Sequence, residues 1–118
     1  MITHSIHHKI IIEHTTEDPI IHSAQDMLDW MMGYRFDGIE HFIIHKEGLS
    51  PDFFDLKTGL AGEILQKFSN YEAYLTIVGD FSGYDSKSLK DFISESNKRG
   101  RIRFVDNIDQ AVDYYSNN

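Results

Sequence analysis

The run Phe53-Phe54-Asp55-Leu56-Lys57-Thr58-Gly59-Leu60 joins an aromatic pair to a polar step and then to an amphipathic segment. A threonine hydroxyl placed directly before a helix has two chemical uses. It can accept an orphan backbone amide and so cap the helix, or it can carry a phosphate whose charge the free amides and the helix dipole stabilise. Lys57 supplies a cation for such a phosphate. Capping alone is the simpler use, since every helix start calls for it. Phe53 and Phe54 diverge by about 100° on a helix, which offers one of them to a partner surface unless both pack beneath the connecting loop. Gly59 and Gly62 allow close backbone approach, and packing of their helix on a sheet is the preferred account of the pair.

Asp80 and Ser82 follow an apolar strand and join Asp55, Lys57, Thr58 and Gly59 as candidate switch or partner residues. As a phosphoacceptor, Asp80 would call for an acidic pair after the first strand and a lysine after the last. Neither is evident, so loop hydrogen bonding is its first assignment. Seven histidines invite a metal hypothesis. On a strand, however, His4 and His8 share a face while His7 points away, and no His-Glu-x-x-His pattern occurs. Solvated edge histidines are the expectation, with His41 and His45 on one strand face and His45 tuning a local pH response. Lys57-Thr58-Gly59 does not reproduce a phosphate-cradling loop. With no nucleophile, base and orienting group in sight, no catalytic residue, metal site or cofactor is assigned.

Composition narrows the classes further. Eleven basic against nineteen acidic residues leave a net charge of -8, a field that repels nucleic-acid backbones and anionic lipid. The one basic cluster, Lys98-Arg99 to Arg101 with Arg103, is short. No cysteine is present, which favours a reducing, cytoplasmic setting, and no apolar run approaches the length of a bilayer span. The 118 residues are expected to form one domain.

The elements that must position these residues alternate in type. Lys9 to Glu13 is a β-branched strand with Ile2 to Ile6 pairing beside it. Ser23 and Asp26 open a helix with Leu28, Met31 and Met32 inward, stopping near Gly33. Ile39 to His45 is a second long strand. A short turn at Pro51 precedes the main helix, placed from Thr58 with Leu60, Ile64, Leu65 and Phe68 inward. Strand Ala73 to Val78 follows, then a helix capped by Asp85 or Ser86 and closed at Gly100, a short strand Arg101 to Val105, and a last helix from Asn107. Its inner face is Ile108, Ala111, Val112 and Tyr115. Such alternation predicts a mostly parallel sheet of four to five strands with about four helices, whose functional edge lies beyond the strands' carboxyl ends.

The stretch Phe53 to Tyr71, together with Ile77-Val78-Gly79-Asp80-Phe81-Ser82, resembles the bacterial family known as domain of unknown function 4180. That resemblance spans nearly the whole chain and carries no established activity. A more distant likeness is to the STAS fold of anti-anti-sigma factors. There an Asp-Ser-Ser-Gly-Leu step opens the second helix, and the serine before the glycine is phosphorylated by a partner kinase. Lys57-Thr58-Gly59-Leu60 stands at the matching place, with Asp55 one residue further upstream and lysine in place of the first serine. The likeness implies a STAS-like regulatory module that binds a protein partner and switches at Thr58. A small-molecule or lipid-like ligand held under Phe53, Phe54 and Phe81 is the alternative. The aromatic and methionine-rich stretch Trp30 to Phe36 offers a homodimer edge.

Overall fold

The computed structural model describes residues 1–117, which form one five-stranded sheet whose spatial order follows the sequence, β1-β2-β3-β4-β5. Strands β1 (Ile2–Ile6) and β2 (Lys9–His14) are an antiparallel hairpin, with Ile6 opposite Lys9 and His4 opposite Ile11. His7 and His8 make its two-residue turn, both at positive φ (49° and 67°), as the twist of a tight hairpin requires. His8 therefore does not share a strand face with His4.

Strands β3 (His41–His45), β4 (Tyr74–Val78) and β5 (Ile102–Val105) are added in parallel, each beside its predecessor. Every crossover steps the same way across the sheet, so right-handed connections place all three crossover helices on one face. Helices α1 (Ala24–Arg35), α2 (Leu60–Asn70) and α3 (Lys87–Arg99) accordingly share a core with Phe42, Ile44, Leu75, Ile77 and Phe104. Helix α4 (Ile108–Asn117) covers the other face, where Ala111 and Tyr115 pack on Ile11, Ile43, Val78 and Val105. It runs from the end of β5 toward the hairpin turn, where His7 Nε2 lies 2.8 Å from the Ser116 carbonyl.

Helix starts follow the local chemistry. Ser23 accepts the Asp26 amide and Ser86 the Leu89 amide, each satisfying a donor that the helix cannot. Helix α1 passes through Gly33 and ends at Arg35; the positive φ falls instead on Gly38. Met27 and Met31 are its buried residues, while Leu28 and Met32 are half-buried, a rotation of one position from the expected face.

Helix α2 begins at Leu60 rather than Thr58. The cause is Gly59, which sits at φ 80° and turns the chain out of the preceding 3-10 turns. Gly62 is exposed, and a Cβ there would meet nothing within 4 Å, so helix-on-sheet packing does not explain the glycine pair. Opposite signs are expected on substitution. Gly59→Ala should lose about 1 kcal/mol to left-handed backbone strain, and Gly62→Ala should gain roughly 0.5–1 kcal/mol from helix propensity. Urea unfolding of the two variants checks both signs.

Candidate functional site

Beyond the carboxyl end of β3 the chain makes three short 3-10 turns, Lys46–Gly48, Pro51–Phe54 and Leu56–Thr58. Pro51 opens the second, with the Ser50 side chain accepting the Asp52 amide at 3.3 Å. Asp55 opens the third by accepting the Lys57 amide at 3.2 Å. The Thr58 hydroxyl is exposed and lies 2.7 Å from the Asp52 carbonyl and 2.8 Å from the Asp55 carbonyl. Its single hydrogen is shared between them. Its oxygen also accepts the Leu60 amide, at 3.3 Å, so Thr58 caps α2 weakly and latches the two turns more firmly.

Both phenylalanines are buried, Phe53 at 0% and Phe54 at 7% exposure, which removes them from the partner surface. Their rings lie edge to face at 5.0 Å, and Phe54 is roofed by Tyr84 (stacked, 5.1 Å) and Phe81 (6.0 Å). Phe104 closes the cluster from β5, against Phe53 and Phe81. Beside Phe54 and Tyr84 the surface opens into a depression of about 250 Å3, with Lys46, Leu49 and Pro51 in its walls.

Asp80 accepts both the Ser82 amide (2.9 Å) and the Ser82 hydroxyl (2.6 Å). These bonds, the hydroxyl's first, hold its carboxyl below the ordinary aspartate value, with Lys46 adding a smaller pull. Lys46 donates to the Asp80 carbonyl at 3.0 Å and lies over the Tyr84 ring, tying the end of β3 to the loop after β4. No hydrogen bond or ion pair joins Thr58 to Asp80 among the described residues; the Phe54 contacts with Phe81 and Tyr84 connect the two segments. The edge is acidic. Glu17, Glu47, Asp52, Asp55, Glu63, Asp80 and Asp85 are all exposed along it.

Around the corner of the same edge, on the α4 face, lies an arrangement that no spacing along the chain announces. Glu13, on β2, is buried, and its two oxygens accept from His4 Nε2 (2.7 Å, β1) and His45 Nε2 (2.6 Å, β3). Burial alone would raise the Glu13 carboxyl, but the hydrogen bonds from His45 and then His4 outweigh it and hold the group below its ordinary value. An ionised carboxylate only accepts, so each imidazole carries its proton on Nε2 toward Glu13. Glu13 stands opposite Ile2 on β1 and Ile43 on β3, so both histidines are its diagonal neighbours on one face. Face alternation does place Glu13 with Ile11, on the buried side, and that was the available signal.

A depression of about 670 Å3 lined by Thr15, Thr16, Glu17, His45 and Glu47 opens beside this cluster. His45 with Glu13 makes a base and its orienting group. Among the described residues no threonine hydroxyl bonds either imidazole. No group of three or more His, Asp or Glu among the described residues is placed to hold a metal ion.

Three layers, with three crossover helices on one face of a mostly parallel sheet and one helix on the other, define an α/β domain built around its carboxyl edge. The chain belongs to the family described as a domain of unknown function, DUF4180, whose model matches residues 6–114. No curated protein and no solved structure matches it. No helix among the described residues is long and apolar enough to cross a membrane.

Proposed function

We propose that this chain is a regulatory protein-interaction module whose acidic carboxyl edge receives a basic partner surface and whose state is set at Thr58. The observation that carries the reading is the Thr58 hydroxyl, exposed yet serving as the donor that latches two turns through the Asp52 and Asp55 carbonyls. Phosphorylation would exchange that donor for an acceptor-only group of charge about -1.5 to -2. The carbonyls would then lose their partner. The phosphate would turn to Lys57 and to the amides opening α2, which have no acceptor within the helix. The segment 51–59 would rearrange over its buried Phe53–Phe54 base, changing the surface presented by Asp52, Asp55 and Lys57.

Two variants separate latch from switch. Thr58→Val removes the hydroxyl at nearly constant shape and should cost about 1 kcal/mol while leaving partner binding in place. Thr58→Glu adds the charge and should release the partner. Native mass spectrometry of the protein from its own cells, with peptide mapping, provides the direct check. Phosphate on Thr58 and a protein that co-purifies with the unmodified form support the reading. An unmodified Thr58 in a chain carrying only a small molecule overturns it.

A further inference from the structure

At the amino ends of β2 to β5, beneath the last turn of α4, lies a cleft of about 330 Å3 whose walls include Lys9, His41, Tyr74, Thr76, Arg103 and Tyr115. It is at the opposite ends of the strands from Thr58 and does not depend on that residue's role. Two cations reach it in a chain of net charge -8. Neither Lys9 nor Arg103 has a carboxylate within ion-pair distance among the described residues; Glu40, also in the wall, pairs with Arg35 at 3.9 Å. The Arg103 guanidinium lies 3.4 Å from the centre of the Tyr114 ring, which fixes its plane.

The remaining walls are flat. His41 stacks on Tyr74 (5.1 Å, 13°) and meets Tyr115 edge-on at 5.2 Å. Burial, and then the Lys9 charge, hold His41 below its ordinary value, so the ring is neutral near pH 7. Among the described residues its Nδ1 is buried without a hydrogen-bond partner, a costly state for a polar atom. Burial pushes the Tyr115 hydroxyl up to about 12, which keeps it a neutral phenol.

We propose that this cleft binds a small organic anion, a carboxylate drawn in by the wall cations Lys9 and Arg103 on a planar unsaturated body seated against Tyr74, His41 and Tyr115. A planar guanidinium fork matches carboxylate geometry. A cavity at the small end of the ligand-pocket range, which begins near about 300 Å3, suits a single ring rather than a nucleotide.

Titration of the full chain with benzoate, acetate and inorganic phosphate, followed by amide chemical shifts, tests the assignment. Benzoate should give saturable shifts around His41, Tyr74 and residues 101–103, and acetate should bind at least about tenfold more weakly for lack of a ring. Lys9→Gln and Arg103→Gln should each weaken benzoate by about tenfold. Arg103→Gln also frees Tyr114 and can loosen α4. Lys9, with no stacking partner among the described residues, is therefore the decisive position. Absence of saturable benzoate shifts, or an affinity that Lys9→Gln leaves unchanged, overturns the proposal. Phosphate binding as tightly as benzoate overturns the planar body.

Discussion

Glu13→Ala should be among the most damaging single changes available in this chain, costing about 2–3 kcal/mol at neutral pH and lowering the unfolding midpoint by roughly 10 °C. The carboxylate is 4% exposed and the imidazoles of His4 and His45 are 22% and 27% exposed. Removing it strands two partly buried donors and opens a void between three strands. Glu13→Gln should cost less, about 1 kcal/mol. Its amide oxygen still accepts from one imidazole, and the other can move its proton to Nδ1 and accept from the amide nitrogen. A gap between the two variants in urea unfolding at pH 7 is the expected result. Equal losses would mean that shape alone, without hydrogen bonding, sets the cost.

The same residue fixes the sign of a pH dependence. Because the folded carboxyl is held below its ordinary value, an unfolded Glu13 takes up its proton at higher pH than a folded one. The stability it contributes is fully present above the unfolded value and is lost as pH falls through the depressed folded value. The part of the stability difference between the native chain and Glu13→Ala that the carboxylate's charge supplies should therefore hold above the unfolded carboxyl value and shrink in acid. A difference that stays constant down to acid pH would remove the carboxylate's charge from the explanation.

Periodicity carried the architecture well and the side-chain chemistry poorly. Alternation of β-branched runs with capped helices is a local property, so the five strands, the Ser23 and Ser86 caps and the Gly100 C-cap were all legible. The start of α2 was misplaced by two residues because Gly59 can be read either as helix interior or as a left-handed break, and only the packing of the preceding turns decides. The His4–Glu13–His45 cluster is assembled by register across three strands, one of them antiparallel, and no spacing along the chain encodes it. The choice left open for Phe53 and Phe54, one offered to a partner or both packed under the loop, is likewise decided by residues distant in sequence. Adjacent side chains diverge on their own element, but Tyr84 and Phe81, about 30 residues away, cover the one that points outward.

That burial turns Phe53 into a test of how the carboxyl edge works. Phe53 is fully buried between Phe54 and Phe104, so Phe53→Ala should cost about 3–5 kcal/mol, a large part of the roughly 5–15 kcal/mol that holds a domain together. A partner contact would behave otherwise, leaving stability untouched while binding fell. The loss should also be uneven in space. Asp52, Asp55, Lys57 and Thr58 ride on turns with few backbone bonds of their own, and the ring beneath them is what keeps those turns in place. Hydrogen exchange in Phe53→Ala should accelerate most over residues 51–59, ahead of β3 and β4, whose amides are paired within the sheet. Thr58→Val should speed the same segment by a smaller factor, since it removes a latch and leaves the base. Uniform acceleration across the chain in both variants would mean that the edge has no local rigidity for a modification at Thr58 to release.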